Sequence, residues 1–272
     1  MSLELGSDLW STTLGLGDRK QLTFNTGWEA SYSLARDRIA FTARVDGGAV
    51  DLFEIPPTGG DPRPLDEHSW SDWESSYSPD GRRVAFTSSR DNQDWEIWTM
   101  GVDGGSNPRQ LTKDDPALNW SPSWSPDGKY IAYFSTRLVP AGQVEVWRMN
   151  ADGGNKTRLT YGNWSERNPD SIRGRNWELS WSPDSKQIAF PSNRDGNQEI
   201  YILDLDDKNQ RNLTSSPRSD EFDSAWSLDG NWIALVRPTP NGQMIVLKSI
   251  DGRQEIQLTS GSHIDRHPAW LP

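Results

Sequence analysis

One short motif recurs along the chain at a nearly constant interval. It consists of an aromatic residue followed by Ser and, in most copies, a Pro-Asp-Gly turn. Its aromatic residues are Tyr32, Tyr77, Trp124, Trp181, Trp226 and Trp270. The intervals between them are 45, 47, 57, 45 and 44 residues. A period of about 40–45 residues is that of a four-stranded propeller blade, so the spacing predicts a repeat architecture.

Each repeat contains the signals for four strands. An apolar segment follows each turn, as in Val84-Ala-Phe86 and Ile188-Ala-Phe190. A third segment carries an acid and then an aromatic residue two positions later, as in Glu96 and Trp98. A fourth segment ends in Leu, usually Leu-Thr. Because Pro and Gly in the turn favour a chain reversal, and no long segment has helical periodicity, we predict an all-β chain of antiparallel four-stranded sheets.

Six copies of the motif predict one domain over residues 1–272, a six-bladed β-propeller. The sixth copy is split between the two ends of the chain. Its first strand is predicted at Pro268–Trp270, and its other strands at residues 2–5, 8–14 and 19–23. In this arrangement the N- and C-terminal strands share the sixth blade and close the ring, which leaves no open sheet edge.

Composition excludes several functional classes. The chain has no cysteine, so disulfides and thiolate metal sites are absent. Its formal net charge of −11 argues against binding to nucleic acid, whose phosphates need a basic surface. No stretch is apolar over the roughly 18 residues that a membrane helix needs. Residues 1–7 lack a basic region and a long apolar stretch, so no signal peptide is predicted within this chain.

Three segments carry a resemblance to a known family. They are Trp-Ser-Pro-Asp-Gly-Lys-Tyr-Ile-Ala-Tyr (124–133), Ser-Asn-Arg-Asp-Gly-Asn-Gln-Glu-Ile-Tyr (192–201), and Asp-Gly-Gly with a downstream Arg-Leu-Thr (152–160). They resemble TolB-type propellers and related propellers built from WD-like repeats. The resemblance implies a non-catalytic protein-interaction role, because TolB is a periplasmic interaction component. It also implies a periplasmic location for this chain.

A polar-aromatic triplet precedes each motif by five residues. The pattern is Asn/Asp-Trp-Glu, as in Asp72-Trp73-Glu74, and it leads from the outer strand of one blade into the inner strand of the next. Such a position lies at the mouth of the central channel. The third interval is the longest, and its extra residues, 161–176, contain arginines suited to carboxylate or phosphate. The candidate ligand-binding residues are Trp28, Glu29, Asp72, Trp73, Glu74, Asn119, Trp120, Arg173, Arg175, Asn176, Trp177, Glu178, Glu221, Asp265 and His267.

The same triplets have a purely structural interpretation. The Trp side chains would then wedge between blades, and the acids would cap loop N–H groups. If they do form a site, its oxygen-rich ring suits Ca²⁺ or another divalent cation in the channel.

The sequence contains no Gly-x-Ser-x-Gly elbow, Walker loop or dinucleotide fingerprint, so no catalytic residue is predicted. We therefore predict a monomeric binding scaffold for a protein or peptide partner, and not an enzyme. Two alternatives remain open. One is a metal-dependent propeller enzyme of the lyase or lactonase kind with His267 as base, and the other is the propeller part of a larger peptidase.

Overall fold

The structure is a computed structural model that describes most of the chain. The described residues are 8–12, 19–23, 30–35, 38–44, 49–66, 70–90, 94–102, 108–113, 117–140, 143–162, 164–165, 178–261 and 265–270. All regular elements among them are β-strands. No helix in this part of the chain is long and apolar enough to cross a membrane.

The described strands form five four-stranded antiparallel blades and one separate two-stranded sheet. The two-stranded sheet pairs β1 (Trp10–Thr12) with β2 (Arg19–Gln21). Blade 1 contains β3 (Ala30–Ala35), β4 (Arg38–Arg44), β5 (Val50–Ile55) and β6 (Arg63–Pro64). Blade 2 contains β7 (Asp72–Tyr77), β8 (Arg83–Ser88), β9 (Glu96–Gly101) and β10 (Arg109–Gln110).

The later blades repeat this order of strands. Blade 3 contains β11 (Asn119–Trp124), β12 (Tyr130–Ser135), β13 (Gln143–Asn150) and β14 (Thr157–Arg158), and β15 (Trp164–Ser165) also pairs with β13. Blade 4 contains β16 (Ser180–Trp181), β17 (Gln187–Ser192), β18 (Glu199–Asp204) and β19 (Gln210–Asn212). Blade 5 contains β20 (Phe222–Trp226), β21 (Trp232–Thr239), β22 (Gly242–Ser249) and β23 (Glu255–Gln257). Strand β15 comes from the long third interval of the repeat.

The prediction of six blades closed by shared terminal strands is wrong, because the structure has five four-stranded blades. Strands β1 and β2 pair only with each other in the described region, and residues 265–270 form no strand there. The strand predicted at residues 2–5 lies outside the described residues. The physical reason is that a strand needs ladder hydrogen bonds to a neighbour, and residues 265–270 make none to β1 or β2 among the described residues.

The hydrophobic core lies between consecutive blades. Trp181 of blade 4 packs in one cluster with Phe134 and Val146 of blade 3, and its indole Nε1–H donates to the carbonyl of Ser123 at 3.0 Å. Tyr77 of blade 2 packs against Leu52 of blade 1. In blades 2 to 5 the aromatic residue of the repeat therefore packs against the preceding blade.

A second repeated device fixes the fourth strand to the third. The Thr of Leu-Thr accepts the backbone N–H of the residue that follows the third-strand acid, at 2.8 Å for Ile97 and Thr112. The Thr112 hydroxyl donates to Glu96, and Thr160 and Thr214 make the same bond to Glu145 and Glu199. These buried acids therefore have a structural role, because they hold the fourth strand against the third.

Candidate functional site

The first strands of consecutive blades contact each other, which makes them the innermost strands around one axis. In each described blade the first strand begins at the same end of the sheet as the third strand, as the pairing of Asp72 with Ser88 and of Ser88 with Glu96 shows. We call this end of the molecule the entry face. The Ser-Pro-Asp-Gly turns lie at the opposite end, the turn face.

A β-bulge interrupts the first strand shortly after it begins. The register shifts between Trp73 and Ser76, between Trp120 and Ser123, and between Phe222 and Ala225. In these three strands the third residue of the triplet lies in the bulge and has positive φ, with values of 52° for Glu74, 55° for Ser121 and 53° for Asp223. His267 lies outside any strand but also has positive φ, at 49°. Non-glycine residues rarely adopt this conformation, and bulges often redirect a side chain beside a functional site.

The side chains at the third triplet position form what we call the axial cluster: Glu74, Ser121, Glu178, Asp223 and His267. His267 Nδ1 lies 3.1 Å from Glu178 Oε1 and 3.4 Å from Asp223 Oδ2. Glu74 Oε2 accepts the backbone N–H of Ser121 at 2.7 Å and the Thr87 hydroxyl at 2.8 Å. The cluster thus joins residues of blades 2, 3 and 5, the segment that enters blade 4, and the C-terminal segment.

Burial shifts the titration of this cluster. It raises the pKa of Glu74 to about 7, although the hydrogen bonds from Thr87 and Ser121 favour the charged carboxylate. Burial also raises the pKa of Asp223 to about 7, against the opposing charge of His267. For His267 burial alone lowers the pKa, but the charges of Asp223 and Glu178 outweigh it and raise the pKa to about 9. His267 is therefore protonated at neutral pH.

The first residues of the triplets have different surroundings. The Asp72 carboxylate pairs with Arg90 at 2.6 Å, and Glu221 pairs with Arg237 at 2.9 Å. The Asn119 amide donates to Glu96 at 3.0 Å, and Asp265 pairs with Arg19 at 3.1 Å. These bonds lie within a blade or between neighbouring segments, so the structure assigns these side chains to partners away from the axial cluster.

The aromatic residues of the triplets differ in exposure. Trp120 is fully buried and stacks with Phe134, with ring centroids 5.8 Å apart. Trp73 is only half-buried, and its ring lies 5.6 Å from the half-buried Trp95. Trp120 therefore acts as a wedge in the core, whereas Trp73 and Trp95 present part of their surface at the entry face.

The remaining candidates lie outside the described residues: Trp28, Glu29, Arg173, Arg175, Asn176 and Trp177. Asp223 was not among the candidates, although it stands at the same triplet position as Glu74 and Glu178. That position was therefore the signal that would have found it. No group of three or more His, Asp or Glu side chains is placed to hold a metal ion within the described part of the chain. Calcium in the channel stays a prediction.

Blades arranged around an axis, with titratable side chains gathered on it, define the molecule as a β-propeller with an axial polar site. The family described as the TolB beta propeller domain matches residues 69–175 and 171–272. These two matches cover more than half of the chain, which therefore belongs to that family.

Solved structures support the fold. TolB from Acinetobacter baumannii is 22% identical with a TM-score of 0.74, over 93% of this chain and 60% of that one. Putative TolB from Agrobacterium tumefaciens is 21% identical with a TM-score of 0.71, over 92% and 90% of the two chains. An oligogalacturonate lyase in complex with manganese is 12% identical with a TM-score of 0.56, over 82% and 62%. No curated protein matches the chain.

Proposed function

We propose that this chain is a non-catalytic scaffold that binds a protein or peptide segment at the entry face. The observation that carries the proposal is the axial cluster, which brings Glu74, Glu178, Asp223 and His267 together at the axis. Residues with shifted pKa values and strained backbone concentrate at functional sites. The half-buried Trp73 and Trp95 supply the aromatic surface that typically anchors a partner.

Family membership supports the same role. TolB-type propellers are interaction components in the resemblance described above, and the fold of this chain matches two structures carrying that name. The chain spans 60% of the Acinetobacter protein, so the activity of such a whole protein is itself part of the proposal. A periplasmic location belongs to the proposal in the same way.

An enzyme is the weaker alternative. A propeller lyase with His267 as base needs a neutral imidazole, but the pKa of His267 is raised to about 9 by Asp223 and Glu178. The likeness to a puromycin hydrolase, at 17% identity and a TM-score of 0.60, covers 88% of this chain and 39% of that one. It shows the fold alone and leaves the peptidase alternative without support from the described side chains.

Site-specific photo-crosslinking in the native host tests the binding face. A photoreactive amino acid replaces Leu138 or Trp70 at the entry face, where both side chains are exposed. The control replaces Leu228, an exposed leucine in the Ser-Leu-Asp-Gly turn of blade 5, at the turn face. We expect discrete adducts with a protein from the first two positions and none from Leu228. Adducts from Leu228 alone, or equal adducts from both faces, contradict the proposal.

A further inference from the structure

The axial cluster has an excess of acceptors over donors. Three carboxylates, those of Glu74, Glu178 and Asp223, surround the single imidazolium of His267. Arg266 also acts on His267 and Asp223, but it is exposed and its Nε donates to Gln243 at 2.6 Å. Among the described residues the positive charge of Arg266 is therefore solvated, whereas the three carboxylates lie inside the cluster.

One oxygen of the cluster has no donor. Asp223 is almost fully buried, and its Oδ1 has no hydrogen-bond partner among the described residues. Its other oxygen, Oδ2, faces His267. A buried carboxylate oxygen without a donor costs free energy, which an incoming N–H group would recover. Asp223 therefore presents an unfilled acceptor inside a cluster that is already anionic.

The cluster has a side that reaches solvent. The Glu178 side chain is 18% exposed, whereas those of Asp223 and His267 are 2% and 7% exposed. Glu74, the fourth titratable member, directly follows the half-buried Trp73 in the chain. A group arriving from solvent would meet Glu178 first, with the aromatic surface of Trp73 and Trp95 at the same face.

We infer that the axial cluster receives one basic side chain from an inserted partner segment, with the Asp223 carboxylate as its principal acceptor. This inference rests on the proposed function and names the chemistry of the partner. A basic group complements the excess of carboxylates, and it is attracted to the faces of indole rings. Arginine suits the site best, because its guanidinium is weakly hydrated and carries several donors.

Binding of a cation is expected to release protons. Glu74 and Asp223 have pKa values raised to about 7, and an arriving positive charge favours their ionised forms. If one proton of pKa about 7 must leave, affinity rises about tenfold between pH 6 and pH 8. A neutral ligand would have no such dependence.

The probes are small enough to test the cluster without the native partner. They are an acetylated, amidated Gly-Arg-Gly peptide, the same peptide with neutral citrulline in place of arginine, and CaCl₂ alone. Binding is followed by the NMR signals of the Trp indole N–H groups of the whole chain, at pH 6 and at pH 8, with probe up to about 10 mM.

Three variants accompany the wild-type chain. Asp223→Asn removes the negative charge of the proposed acceptor. Glu178→Gln, at the solvent side, is the second variant and covers the case in which the buried change disturbs folding. Glu221→Gln is the matched control, because Glu221 is also buried with its pKa raised to about 7 but pairs with Arg237 outside the cluster.

We expect the arginine peptide to bind more tightly at pH 8 than at pH 6, and at least about tenfold more tightly than the citrulline peptide. Asp223→Asn and Glu178→Gln should each weaken binding at least about fivefold, and Glu221→Gln less than about twofold. Equal binding of both peptides, unchanged binding by both cluster variants, or binding of Ca²⁺ alone overturns the inference. If the arginine peptide does not bind but the entry face still gives crosslinks, the inference of a basic group is rejected and the proposed scaffold role stands. Peptide binding without those crosslinks rejects the proposed partner face instead.

Discussion

At the scale of single residues, the repeat separates side chains that pack between blades from side chains that meet at the axis. The aromatic residue of the motif in blades 2 to 5 is buried against the previous blade, as Trp124 and Trp181 are, with exposures of 8% and 6%. The Thr of Leu-Thr and the third-strand acid bond to each other. The third triplet residue is different, because its strained backbone points a titratable group at the axis.

The anchoring role of the motif can be measured by truncation. Trp181→Ala should lower the free energy of unfolding by about 3–5 kcal/mol, because it empties a large buried site and removes the bond to Ser123. Trp70→Ala is the control, since Trp70 is 44% exposed, and it should change stability by less than about 1 kcal/mol. Urea unfolding followed by circular dichroism gives both values. Equal losses in the two variants would show that the motif is not a core position.

At the scale of elements, arginines tie neighbouring segments together at the entry face. Arg90 follows strand β8 and bonds to Asp72 at the start of β7 and to Asp66 after β6, at 2.6 and 3.0 Å. Asp72 is fully buried, and burying a carboxylate is costly unless a cation pairs with it, as Arg90 does here. Arg237 makes the corresponding bond to Glu221 in blade 5. The first triplet residue therefore orders the connection between blades.

Removing Arg90 should show how much its ion pair with Asp72 stabilises the fold. Arg90→Met should cost about 3–5 kcal/mol, because it removes the cation that pairs with the buried Asp72 carboxylate at 2.6 Å. Adding Asp72→Asn should recover part of the loss, and the double-mutant cycle gives the coupling energy. Arg253→Met is the control, because Arg253 and Asp251 form an exposed pair at 3.9 Å whose loss should change stability little. A double variant no more stable than Arg90→Met would contradict this role.

At the scale of the whole molecule, the axial cluster makes the stability of the fold depend on pH. Glu74, Asp223 and His267 all hold protons more tightly in the folded chain than in the unfolded one. For the two acids, burial of the carboxylate disfavours the charged form. For His267, the neighbouring carboxylates favour it. The carboxylates with lowered pKa, such as Asp229 at about 2, act on stability only in acid.

Stability should therefore fall as pH rises from about 5 to about 9, by at least about 1 kcal/mol, because the folded state binds more protons throughout this range. The stability that Glu74 and Asp223 contribute is lost as the pH rises from their ordinary pKa values to about 7. The stability that His267 contributes is complete below pH 6.5 and is lost as the pH rises through its folded pKa of about 9. Urea midpoints at several pH values measure this. Asp223→Asn should flatten the decline, and Asp229→Asn should not. A stability that rises over this range is the opposite outcome.

The sequence by itself determined the repeat, the four strands within it and the packing role of its aromatic residue. Period, turn residues and apolar segments are local features, and each blade uses them in the same way. The Asn/Asp-Trp-Glu triplet also marked the segment that enters the inner strand, which includes Glu74, Glu178 and His267.

Only the tertiary structure decided which residue of the triplet meets its counterparts. Side chains alternate across a strand, and a bulge of one residue reverses that alternation, so sequence spacing does not fix the direction of Glu74 or Asp223. The same holds for partners far apart in the chain, such as His267 and Glu178. It also holds for the end of the repeat, where a recognisable copy at Trp270 does not become a strand. A strand requires a neighbour with which to form hydrogen bonds, and only the folded chain supplies that neighbour.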